Sequence, residues 1–153
     1  MSNKNDYVEI IERIERRVNK VLRETNRNKV HWTIQKNLTA LARELGYRGY
    51  AEKRADDGIL DVIWADHQGK EVVAIEIDSS PRPRSVNKLN KRTAPVGVWI
   101  YYGVKPIPPE LDTSTFVVVR PIASLRCTKP RFYRNKPKVN VVVTPYKYPT
   151  KGK

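Results

Sequence analysis

The chain has 153 residues and is 39% hydrophobic, enough for one domain with a real core plus an appendage. Thirty Lys and Arg against 16 Asp and Glu leave a formal net charge of +14, which points to a polyanionic partner or an anionic membrane surface. The single cysteine, Cys127, excludes an internal disulfide, and two histidines, His31 and His67, exclude a Cys/His zinc finger or an HNH-type site.

Asp6 with Glu9 three residues on reads as a capping box, and Val8, Ile11, Ile14, Val18, Val21 and Leu22 recur at helical spacing through about residue 23. This first, amphipathic helix (segment 1–28) is expected to offer a dimer face. After the break at Asn26 to Lys29, a second helix is predicted over 33–45, burying Leu38, Leu41, Ala42 and Leu45 and stopping at Gly46. Strands follow at 47–53, 59–65 and 71–78, the last two joined by the turn Asp66-His67-Gln68-Gly69. Pro81 and Pro83 interrupt the chain, and 85–91 reads as a short helix with Val86 and Leu89 inward. Residues 96–102 form a nearly continuous apolar run, the mark of a strand buried on both faces and parallel to a neighbour. A further strand is expected at 115–120 and a late one at 139–144. Trp32, Trp64 and Trp99 are all expected in the core.

The stretch 58–78 plants three carboxylates in two apolar, β-branched runs. Alternation puts Glu76 and Asp78 on one face of their strand and Ile75 and Ile77 on the other, and the hairpin brings Asp61 beside Glu76. Carboxylates gathered in a partly buried place repel one another and lose hydration, a cost that a cation relieves, and oxygen ligands suit Mg²⁺ or Mn²⁺. The composition indicates what they would act on. From Arg120 to the end there are ten basic residues and no acid, with Phe132, Tyr133, Tyr146 and Tyr148 interleaved. Such a mixture neutralises phosphates and packs against bases and sugars, so Arg126, Lys129, Arg131, Arg134, Lys136 and Lys138 are expected to bind nucleic acid, DNA in preference to RNA. Arg82 and Arg84, leaving the strand just after Asp78, would grip the backbone near the acids, with Lys91 and Arg92 beyond them.

The order helix, strand, Asp-bearing strand, Glu-x-Asp strand, helix, strand resembles the core of the PD-(D/E)XK nuclease superfamily over roughly residues 33–102. The resemblance implies a restriction-endonuclease-like α/β fold, a mixed central sheet flanked by helices, with the nuclease core at 29–120 and a basic, Pro-rich extension at 121–153. It implies that Asp61, Glu76 and the carbonyl of Ile77 hold the divalent metal, with Glu52 as an additional acid and Glu44 as an outer ligand or a solvated helix residue. The third motif position holds Asp78 in place of lysine. The resemblance offers Lys88 as a migrated lysine, Lys91 as a lesser substitute, and Asp78 as a further ligand or water-orienting base. The expected activity is Mg²⁺- or Mn²⁺-dependent hydrolysis of DNA phosphodiester bonds by an endonuclease of restriction, homing or recombination and repair type, a Holliday-junction resolvase included. It is expected to act as a homodimer or higher homo-oligomer, since one site per chain cuts one strand. The alternatives are a non-catalytic nucleic-acid-binding protein on a decayed nuclease core and a ribosomal or RNA-binding protein. No apolar run approaches the ~18 residues of a membrane span and the start is polar, so a cytoplasmic, nucleoid-associated protein is expected, with no membrane role.

Overall fold

The computed structural model describes residues 4–24, 29–55, 58–121 and 142–143. Helices α1 (Lys4–Glu24) and α2 (Val30–Glu44) precede strands β1 (Arg48–Ala55), β2 (Gly58–Ala65) and β3 (Glu71–Asp78), then helix α3 (Pro83–Lys91) and strands β4 (Val96–Tyr101), β5 (Val117–Arg120) and β6 (Val142–Val143). The strands form one mixed sheet in sequence order. The pairs β1–β2 and β2–β3 are antiparallel, as short turns allow, and β3–β4 and β4–β5 are parallel. A parallel neighbour needs a crossover, and α3 supplies it between β3 and β4. No helix among the described residues is long and apolar enough to cross a membrane.

Alternation along the strands divides the core in two. Val62, Trp64, Val73, Ile75, Ile77, Val98 and Ile100 pack on the α1/α2 side, and Ile63, Ala74, Trp99, Tyr101 and Val118 pack with Val86 and Leu89 of α3. Every residue of β4 is buried, as its unbroken apolar run requires. Each fully buried Leu or Ile, such as Ile34, Leu38 and Leu41 of α2, contributes roughly 1.5–3 kcal/mol of transfer free energy. Two indole and amide contacts join α2 to β2: Trp64 Nε1 donates to the Leu38 carbonyl at 3.1 Å, and Gln35 Nε2 donates to the Asp61 carbonyl at 2.9 Å.

Several sequence expectations shift. Helix α1 begins at Lys4, so Asp6 lies in its first turn rather than at its cap. Most of its apolar side (Ile10, Ile11, Ile14, Val18, Val21, Leu22) is buried with α2 in the same core cluster and so serves the chain's own fold, while Val8 stays exposed. Helix α2 starts three residues earlier than predicted, at Val30. Trp32 is 55% exposed and lies outside the core, while Trp64 and Trp99 are fully buried. Of the late strand, Val142–Val143 falls within the described residues; Arg126, Lys129, Arg131, Arg134, Lys136 and Lys138 lie outside them.

Strand β1 meets α2 at Gly49, where an added Cβ would stand 2.4 Å from the Thr39 carbonyl oxygen and 3.0 Å from the Ala42 Cβ. Because backbone cannot yield as a flexible side chain can, Gly49→Ala is expected to destabilise the fold by about 1–3 kcal/mol, read as a lower urea midpoint at unchanged m-value.

Candidate active site

The antiparallel ladder between β2 and β3 shifts register at Trp64/Ala65 and ends at Val62–Ile75, whereas β3 stays paired to β4 through Asp78–Tyr101. At this end of the hairpin two carboxylates take over from the ladder. The Asp61 N–H donates to Glu76 Oε2 at 3.2 Å, and the Ile77 N–H donates to Asp61 Oδ2 at 2.7 Å. Each acid thus satisfies a backbone donor and leaves its second oxygen toward a cation. Asp61 Oδ1 lies 3.4 Å from His31 Nε2, and Glu76 Oε1 lies 3.1 Å from Lys88 Nζ.

Lys88 reaches these acids because α3 starts directly after a short loop and turns its basic face back over β2. Pro83 occupies the first turn of α3, where its missing N–H costs nothing. The Lys88 ammonium also donates to the Ile59 carbonyl at 2.7 Å. Gly58, at φ +127°, opens β2 beneath this side chain, and a Cβ there would touch Lys88 Cδ at 3.6 Å. Asp78 is held differently. Trp99 Nε1 donates to its Oδ2 at 2.9 Å and Arg82 Nε stands 3.6 Å from its Oδ1. Asp78 lines the cleft with one oxygen held by the Trp99 indole and the other facing Arg82.

These groups line one open cleft with Ile77, Arg54, Arg84, Ser79 and Tyr102. Burial, then the nearby Asp61 charge, pushes the Glu76 carboxyl from its ordinary 4.5 up to about 7, against the lowering effect of Lys88. The hydrogen bond to Asp61 raises the His31 pKa, burial opposes it, and the charges of Asp61, Asp78 and Glu76 raise it further. Among the described residues no three His, Cys, Asp or Glu side chains form a group able to hold a metal ion by themselves. The donor set nevertheless fits a hard divalent cation of the Mg²⁺ type, which binds through one or two carboxylates and completes its shell with water and substrate oxygens. Asp61, Glu76 and the Ile77 carbonyl are the residues that would hold it.

The remaining candidates lie apart. Glu52 is exposed in β1, with a left-handed φ of 55°, outside the cleft lining. Lys91 is exposed at the end of α3, and Arg92 is ion-paired with Glu71 at the opposite end of β3. Glu44 joins the helices through Arg17, 2.6 Å away, so it acts as a helix tie and not as an outer ligand. Sequence reasoning missed His31 and Arg54. His31 could have been found: it stands four residues before Gln35, on the face of α2 that turns to the sheet.

The fold-raised pKa of Glu76 favours its neutral form, so its contribution to stability is complete below 4.5 and is lost as pH rises to about 7. His31, also raised, acts in the same direction, its contribution fading as pH passes above its ordinary 6.5. Without divalent cations, Glu76→Gln is therefore expected to be more stable than the wild type at pH 8, by on the order of 3 kcal/mol at most, with the gap closing near pH 4.5. Urea unfolding across that range checks it; a pH-independent difference contradicts it. Comparison with protein-family models, curated proteins and solved structures finds no match to this chain.

Proposed function

We propose that this chain is a metal-dependent phosphodiesterase that hydrolyses DNA, with a core of the PD-(D/E)XK type. The observation that carries the reading is the convergence of Asp61, Glu76 and Lys88 at one point of the sheet, from two strands and the following helix. A mixed sheet with helices on both faces and its acids at the strand ends is compatible with a restriction-endonuclease-like architecture.

Arg54, Arg82 and Arg84 line the cleft around these acids and supply bidentate donors for phosphate oxygens. Asp78 faces one of them, Arg82, at 3.6 Å, while the Trp99 indole fixes Asp78. Lys88, held by the Ile59 carbonyl, keeps an ammonium beside Glu76, where it orients a water and stabilises charge building on the phosphate. Bound at Asp61 and Glu76, Mg²⁺ or Mn²⁺ would supply a Lewis acid and a more acidic water. The basic segment after Arg120 adds sequence-independent affinity by counterion release, and two copies of the chain would cut both strands.

The test is nicking of supercoiled plasmid with Mg²⁺ or Mn²⁺ against EDTA. Asp61→Asn and Glu76→Gln are expected to lower the rate by at least about 100-fold and Lys88→Met by about 10- to 1,000-fold, with DNA affinity within a few-fold of the wild type. Cleavage that survives Glu76→Gln overturns the assignment of the site. A wild type that binds DNA in a salt-dependent way without nicking it replaces the reading with a non-catalytic nucleic-acid-binding protein on the same core.

A further inference from the structure

Trp32 is the one tryptophan of three that the fold leaves outside: it is 55% exposed, while Trp64 and Trp99 are 0% exposed. Leaving the largest apolar side chain in water forfeits its burial energy, and no packing demand of α2 requires it, since that helix buries Val30, Ile34, Leu38, Leu41 and Ala42 without it. Its place is specific. It follows His31, which lines the cleft and stands 3.4 Å from Asp61, and it begins the turn of α2 that ends at Lys36. The Lys36 ammonium lies 4.8 Å from the ring centroid, so a cation accompanies the exposed indole.

An aromatic face with a cation beside it, on the helix that carries His31 into the cleft lined by Arg54, Arg82 and Arg84, suits a nucleotide: a base for the ring and a phosphate for the ammonium. Resting on the nucleic-acid reading above, we infer that Trp32 and Lys36 form a stacking platform for an unpaired base next to the bond that is cut, so that the substrate is a single-stranded or locally opened strand rather than an uninterrupted duplex. A base within a duplex has both faces covered by its neighbours, and only one that has left the stack can lie on an indole. The favourable charge balance selects this occupant over an apolar protein surface, which would leave Lys36 to be desolvated.

The burial pattern provides the readout. Trp64 and Trp99 are inaccessible to a base but Trp99 is hydrogen-bonded to the cleft residue Asp78, so the part of the emission change that is lost in Trp32→Phe reports on Trp32. The full-length protein in EDTA is titrated with a 5′-labelled single-stranded DNA and with the same strand annealed as a blunt duplex, following label anisotropy and tryptophan emission together. Emission is expected to fall on binding the single strand, and Trp32→Ala to weaken single-strand binding by about 5- to 100-fold, the range of one base stacked on an aromatic ring, with duplex affinity changed less than about twofold. Trp32→Phe should recover most of the loss, and Lys36→Gln should weaken single-strand binding less than Trp32→Ala. Single-strand binding that leaves the emission unchanged, or that Trp32→Ala leaves intact, overturns this inference while the nuclease reading stands. A wild type that binds neither probe overturns both.

Discussion

The site depends on how two strands part. Strand pairing of β2 with β3 ends at Val62–Ile75, and beyond it the N–H groups of Asp61 and Ile77 take side-chain acceptors instead of ladder carbonyls. Buried amides without partners cost about 1–3 kcal/mol each, and here the partners are the carboxylates of Glu76 and Asp61. Those charge-assisted bonds lock both side chains, and they explain why acids occur inside two apolar strands at all. The same arrangement sets two negative groups close together with Glu76 only 3% exposed, and the fold answers with Lys88 on one side and His31 on the other. The acids are thus structural before they are chemical. Removing either carboxylate alters the strand junction as well as any ligand set, and for that reason amide variants, which keep an acceptor oxygen, separate the two roles better than alanine.

Helix α3 follows from the same topology. Parallel pairing of β3 and β4 demands a crossover, and the crossover must cover the sheet face that carries Trp99, Tyr101 and Val118. Val86 and Leu89 do so, and helical spacing then sends Lys88 to the flank that overlooks the strand ends. A lysine on this helix reaches Glu76 from a different origin than a lysine on β3 would, and it leaves position 78 to an acid held by Trp99 and facing Arg82. One crossover therefore supplies both the second core layer and the ammonium of the site.

Much of this was legible in the sequence because it follows from periodicity. The two-residue alternation of 71–78 placed Glu76 and Asp78 on one face, the four-residue turn placed Asp61 opposite Glu76, and the unbroken apolar run at 96–101 marked the doubly covered parallel strand. What escaped did so for identifiable reasons. An amphipathic helix announces an apolar face without naming its partner, so α1 read as a dimer surface although most of that face is buried with α2. Tryptophan read as core from its chemistry alone, although at about 100° per residue Trp32 falls well off the Ile34, Leu38, Leu41 face. The same spacing puts His31 on the face turned to the sheet, a polar residue where an apolar one would be ordinary. Glu52 read as a strand acid near the metal, yet its left-handed backbone carries no glycine or asparagine that would have marked the kink.

Charge balance decides what can enter the cleft. Asp61, Glu76 and Asp78 would by themselves repel a phosphate, but Arg54, Arg82, Arg84 and Lys88 line the same space, and His31 adds to them when protonated. The cations thus outnumber the carboxylates before any metal is counted. With the Glu76 carboxyl near 7, the cleft carries less negative charge below neutrality and gains an ionised ligand above it. On the proposed reading, the arginines would attract a polyanion whatever the state of Glu76, while a divalent cation would compete with a proton for that one carboxylate. In that proposal nucleic-acid binding and metal binding would respond to pH through different groups, which would make them separable in one and the same protein.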